Sequence, residues 1–180
     1  GFVAVVGRPN VGKSTLINRI MGSKVSIVTA KPQTTRHRIL AVHTTDEAQI
    51  VFVDTPGLHR QAGKAMNKLM NRAAVNALAD ADLVLFLTEA TRWTDEDADV
   101  LKRIRTARVP AVAVLNKVDN VHPKERLLDA LAAMSERHEF ADVVPISAQK
   151  GSNVDRLTAL IPGYLPESPP LFPPDMRTDR

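Results

Sequence analysis

The chain has 180 residues, 44% of them hydrophobic and 24% charged, with no cysteine and a formal charge of +4. One globular domain with an ample core fits these values. A disordered chain, a collagen-like repeat, a coiled coil, a disulfide scaffold, a Cys-based zinc site and thiol catalysis do not. The positive balance suits an RNA-rich neighbourhood but is too small to establish one.

Residues 2–6 form a short apolar run of strand length, followed by a glycine-punctuated loop and a helical pattern over 14–21 that stops at Gly22. Two further runs, 39–44 and 48–53, lie too close together for a helical crossover and predict an antiparallel hairpin at a sheet edge. A helical pattern over 65–79 precedes a strand at 83–88. Thr94 is a natural N-cap, with Asp95, Glu96 and Asp97 as an acidic first turn before a helix over 98–107. A strand at 111–115 follows. Pro123 opens a helix over 124–138, in which Leu127, Leu128, Leu131 and Met134 read as one apolar stripe. A strand at 143–146 and a helix over 152–161 complete the pattern.

Strands alternating with helices predict an α/β fold, a mostly parallel six-stranded sheet with one antiparallel edge hairpin and helices on both faces. No run approaches the roughly 18 apolar residues that cross a bilayer. The chain opens Gly1-Phe2 without an initiator methionine, and from Pro162 onward prolines crowd together. These features predict a domain over 1–165, cut from a longer protein, with a semi-rigid linker over 166–180.

Gly7-Arg8-Pro9-Asn10-Val11-Gly12-Lys13-Ser14 matches G-x-x-x-x-G-K-[ST] and stands between a strand and a helix, as a P-loop NTPase requires. Its backbone N–H groups can wrap phosphates and the helix N-terminus adds partial positive charge, with Thr15 next in the first turn. Lys13 would contact the β- and γ-phosphates and the Ser14 hydroxyl would bind Mg²⁺. Kinases, ATPases and GTPases share this loop, so the later motifs decide.

Asp54-Thr55-Pro56-Gly57 follows a predicted strand. Asp54 can hold Mg²⁺ through a water and the Gly57 N–H can reach a γ-phosphate, although the tetrapeptide is also a good turn. Asn116-Lys117-Val118-Asp119 follows another. The Asp119 carboxylate can accept from the N1–H and exocyclic amino group of guanine, a donor pair adenine lacks. Lys117 can pack its stem over the base or the loop, and Asn116 can tether the base or the phosphate loop. Ser147-Ala148-Gln149 follows the last strand, where backbone N–H groups can reach the guanine O6. Each motif is weak alone. Together they sit in one order at the C-terminal ends of predicted strands, where open α/β sheets bind ligands. The five histidines show no metal-binding spacing and read as surface residues.

This set resembles the GTPase G domain. Lys31-Pro32-Gln33-Thr34-Thr35-Arg36-His37-Arg38, Thr91-Arg92-Trp93-Thr94 and Leu171-Phe172-Pro173-Pro174-Asp175 narrow the resemblance to the Era family of bacterial ribosome-assembly GTPases. The resemblance implies hydrolysis of GTP to GDP with Mg²⁺. It also implies a nucleotide switch in maturation of the small (30S) ribosomal subunit, and binding of 16S rRNA by a following KH domain that lies beyond this chain. It implies a cytoplasmic protein, with peripheral association at the inner face of the cell membrane. It carries the switch threonine, a Mg²⁺ ligand, to Thr35, with Thr34 as competitor. The position that is a water-orienting glutamine in Ras-like GTPases is Leu58, which can neither donate nor accept, and His59 follows it. K⁺-using relatives bind the ion through the phosphate-loop asparagine, here Asn10, which otherwise reads as a turn-shaping residue. Slow, K⁺-stimulated hydrolysis is the expectation. A nucleotide-gated binding module with incidental hydrolysis is the alternative; a P-loop kinase is disfavoured by Asn116–Asp119.

Overall fold

The computed structural model describes residues 1–22, 38–46, 48–54 and 67–167. The strands are β1 (Phe2–Val6), β2 (Arg38–Thr44), β3 (Gln49–Asp54), β4 (Leu83–Glu89), β5 (Ala111–Asn116) and β6 (Asp142–Pro145). The helices are α1 (Lys13–Met21), α2 (Asn67–Ala79), α3 (Asp95–Ala107), α4 (Glu125–Arg137) and α5 (Val154–Leu160). Short 3-10 turns cover Val118–Asn120 and Ile161–Tyr164. The last described element thus ends just inside the expected domain limit at 165. All but two residues of the expected 166–180 linker lie outside the described set.

Among the described residues the strands form one six-stranded sheet in the order β2-β3-β1-β4-β5-β6. Only the β2–β3 pair is antiparallel; β1–β3, β1–β4, β4–β5 and β5–β6 run parallel. The edge hairpin is therefore where the short connection required it.

Covered on both faces, the inner strands have no polar side. All six residues of β5 are buried, and the first five form a continuous apolar run rather than an alternation. Leu83, Leu85 and Leu87 of β4 point into a core with Leu16 and Ile17 of α1 and Val154 and Leu157 of α5. Val84 and Phe86 point the other way, against Ala74 and Leu78 of α2 and Val100, Leu101 and Ile104 of α3. Each such buried Leu or Phe contributes roughly 1.5–3 kcal/mol of burial free energy. Parallel strands in register bring their C-terminal ends to one edge, where every motif loop begins.

One expected contact differs. Leu128 is 69% exposed and leaves the stripe of α4, while Met134 is buried and Leu131 half-buried. Leu127, Leu131 and Met134 follow the helical period, but Leu128 sits about 100° around the axis from Leu127 and turns toward solvent. The capping signal at Thr94 holds: its hydroxyl accepts from the Asp97 N–H, and the Asp97 carboxylate accepts from the Thr94 N–H at 2.7 Å. Among the described residues no helix is long and apolar enough to cross a membrane.

Candidate functional site

The phosphate loop is shaped mainly by backbone. A Cβ on Gly7 would lie 2.7 Å from the Leu87 carbonyl oxygen, and one on Gly12 only 2.2 Å from Asn116 Nδ2. Gly12 also takes φ +106°, a conformation that suits glycine, so only glycine fits there. It is the N-cap of α1, with no side-chain cap bond and no acidic residue in the first turn. The first N–H groups of the helix thus keep their affinity for an anion. Val11 is fully buried beneath the loop, whereas Pro9, Asn10, Ser14 and Thr15 are exposed on its ligand side. Asn10 holds φ 69°, a conformation that a short polar side chain tolerates.

Lys13 Nζ donates to the Gly7 carbonyl at 2.7 Å. Burial lowers its pKa, while the Asp54 carboxylate at the end of β3 works in the opposite direction. The Ser14 hydroxyl and the Asp54 carboxylate are hard oxygen donors, which fit Mg²⁺ completed by phosphate oxygens and water. Thr34, Thr35, Gly57, Leu58 and His59 lie outside the described residues.

The guanine side is built by side chains. Asn116, 2% exposed, ends β5. Its Nδ2 donates to the Val11 carbonyl at 2.8 Å and its Oδ1 accepts from the Ala148 N–H at 2.9 Å. Asn116 thus tethers the phosphate loop, and the tether extends to the loop after β6. The Ser147 N–H donates to the Ser152 carbonyl. The amides of Ser147 and Ala148, expected to reach the guanine O6, are thus engaged within the protein. Lys117 stands at φ 65°, and its Nζ donates to the Asn10 carbonyl at 3.0 Å and to Glu89 Oε2 at 2.8 Å. Asp119, half-buried, lies in the 3-10 turn that follows.

Arg19, Arg8, Glu89 and Asp97 complete the frame. Arg19 of α1 donates from Nε to the Ala148 carbonyl at 3.1 Å and from its Nη2 to the Gln149 carbonyl, pinning the loop after β6 from below. Arg8, expected only as part of the loop backbone, buries its guanidinium: Nη2 pairs with Glu89 Oε1, and Nε lies 3.2 Å from Asp97 Oδ2. Burial opposes the charge on Arg8, but its hydrogen bonds and charge contacts with Glu89 and Asp97 outweigh burial and raise its pKa. Burial likewise opposes the Glu89 carboxylate, and Lys117 and Arg8 reverse the balance and lower its pKa. Asp97 carried one signal, as the third residue after a threonine N-cap. Glu89 carried none beyond its place at the end of a strand.

Residues 2–117 match the family model described as 50S ribosome-binding GTPase. The chain is 51% identical over its whole length to GTPase Era of Actinobacillus pleuropneumoniae serotype 5b (strain L20), and 50% identical to GTPase Era of Cronobacter sakazakii (strain ATCC BAA-894). It spans 59% and 60% of the lengths of those relatives. Its fold superposes with a TM-score of 0.80 and 42% identity on a variant of Aquifex aeolicus Era bound to GDP.AlF4⁻, covering all of this chain and 62% of that one. The same TM-score and identity, with 61% of the other chain covered, relate it to Era in complex with MgGDPNP and nucleotides 1506–1542 of 16S ribosomal RNA. With the phosphate loop, Asp54 and the Asn116–Asp119 motif gathered at one sheet edge, and with the family model spanning most of the fold, the chain belongs to the 50S ribosome-binding GTPase family.

Proposed function

We propose that this chain binds GTP with Mg²⁺ and hydrolyses it to GDP and phosphate, as the nucleotide switch of a longer protein acting in small-subunit ribosome maturation. The observation that carries the nucleotide reading is Asn116: one buried amide joins the phosphate loop at Val11 to the base loop at Ala148, so both halves of one ligand site share a frame. The family description speaks of the 50S subunit. The small-subunit reading follows instead the Era relatives, one of which is a complex with 16S rRNA. In this reading the RNA is read by the part of the protein beyond these 180 residues. Cytoplasmic placement and peripheral membrane association rest on the family resemblance alone.

The residues divide the work. The N–H groups of the loop and of the first turn of α1 hold the phosphates, and Lys13 sets its positive charge against them. Ser14 and Asp54 would hold Mg²⁺, which neutralises charge on the β- and γ-phosphates when bound, and the switch threonine, Thr35 or Thr34, is assigned to the same ion. Asp119 selects guanine. No general base is needed, because phosphoryl transfer is governed by positioning and electrostatics. Leu58 cannot orient water, so the electrostatic contribution falls to the loop and to a monovalent cation held by the exposed Asn10. The expected chemistry is therefore slow and K⁺-stimulated.

Asp119→Asn tests the base assignment: the amide offers a donor where guanine also donates, and preference should turn from guanine toward xanthine nucleotides. Unchanged GTP affinity would remove the reading. GTP turnover in KCl and in NaCl at equal ionic strength tests the cation, with equal rates in wild type and Asn10→Ala counting against it.

A further inference from the structure

Glu89 ends β4 directly beside Asn116 in the sheet register. Its two carboxylate oxygens face different parts of the ligand site: Oε1 takes the Arg8 guanidinium of the phosphate loop, and Oε2 takes the Lys117 ammonium of the guanine motif at 2.8 Å. Arg8 is held on its other side by Asp97, whose side chain is fully buried and is itself fixed by the Thr94 cap. Two cations thus meet two carboxylates in a neutral cluster, buried at Arg8 and Asp97 and partly exposed at Lys117. Lys117 continues the chain of contacts to the Asn10 carbonyl, again in the phosphate loop. Its backbone sits at φ 65°, which a side chain without local stabilisation rarely adopts.

We propose that Glu89 is a positioning residue for guanine nucleotide binding, fixing the phosphate loop and the guanine motif at one separation by holding Arg8 and Lys117 on one carboxylate. The inference rests on the guanine-nucleotide reading above. It assigns Glu89 no contact with the nucleotide; the residue acts through Lys117 and Arg8. A glutamine cannot replace it, because only one end of an amide accepts and the NH₂ end would face a cation. The separation matters because a loose frame must be ordered anew each time the ligand binds.

The test is binding of a fluorescent GDP with Mg²⁺ to the 180-residue chain, with folding followed by circular dichroism so that affinity is read for folded protein. Glu89→Gln should bind about tenfold more weakly, chiefly through faster release, as expected for loss of a charge-assisted contact. In a Lys117→Met background the same substitution should cost much less, because one of the two groups Glu89 bridges is already gone. A residue that merely stabilises the fold would lower the melting temperature and leave the affinity of the folded protein unchanged. That result overturns the proposal, and so does full additivity of the two substitutions. Should Glu89→Gln fail to fold, Glu89→Asp keeps the charge but is one methylene too short to hold both cations. A weaker complex supports the proposal and wild-type affinity overturns it. If wild type itself binds no GDP, the nucleotide reading falls and this inference with it. If wild type binds and Asp119→Asn turns toward xanthine while folded Glu89→Gln binds as wild type does, only this inference fails.

Discussion

The two halves of the site are built by different means. The phosphate half is a backbone object: its path depends on Gly7 and Gly12, whose missing Cβ atoms admit Leu87 and Asn116. The guanine half is a side-chain object: Asn116, Lys117 and Arg19 hold its loops by hydrogen bonds to carbonyls and amides far away in sequence. The first α-helix keeps its N-terminus clear of acidic residues for a ligand, whereas α3 fills its own with Asp95, Glu96 and Asp97. A backbone-built site fails when bulk is added. A side-chain-built site fails when one polar group is removed. The two failures differ in kind as well as in size.

Gly12→Ala attacks the point where the halves touch. The added Cβ would overlap Asn116 Nδ2 at 2.2 Å, at a φ of +106° that strains any side chain. Both loops would have to move, and nucleotide affinity should fall by on the order of a hundredfold or more, in line with the sensitivity of sites to displacements of about 1 Å. Titration of labelled GDP checks this; an affinity within a factor of a few of wild type would show that the loops are not in contact. Asn116→Ala should do less to the phosphate half and more to the fold. It leaves the Val11 carbonyl and the Ala148 N–H without their partner, at about 1–3 kcal/mol for each buried group. Thermal melting should drop by on the order of 10 °C for a domain of this size. A melting temperature equal to wild type would mean that the two loops hold themselves.

This division also explains what the residues revealed before the fold was known. A backbone site demands glycines at fixed spacing and a lysine and hydroxyl at the helix start, so the phosphate loop was legible as a string. The order of strands and helices was legible for a similar reason, since period and loop length are local. Glu89 and Arg19 were not, because a carboxylate or guanidinium at a strand end or helix face acquires its role only from parallel pairing that brings residues about 80 or 130 positions away beside it. Arg8 was visible as a loop position, but the burial of its side chain beside Asp97 depends on α3 packing under the loop. Leu128 failed for the opposite reason, as a hydrophobic residue next to a helical stripe without being on it.

The smallest expected effect is one of pH, at two histidines on the sheet edge away from the motif loops. His43 on β2 pairs with Ile50 at the start of β3, and burial lowers its pKa. His138 stands between α4 and the start of β6; burial lowers its pKa too, aided by Arg105 and opposed by Glu139. A histidine whose folded pKa lies below its unfolded value binds its proton more readily in the unfolded chain, so stability rises with pH. The contribution is complete above the ordinary value of 6.5 and is lost as pH falls through the folded value. Glu89 does not interfere in this window. Its pKa is lowered from 4.5, so the stability it contributes is present above that value and lost only at more acid pH. Melting temperature should therefore decline from pH 7 to pH 5. His43→Gln and His138→Gln should each flatten that decline, since burial lowers both and Arg105 outweighs Glu139 at His138. An unchanged slope in His43→Gln would show that β2 meets solvent as freely in the folded chain as in the unfolded one.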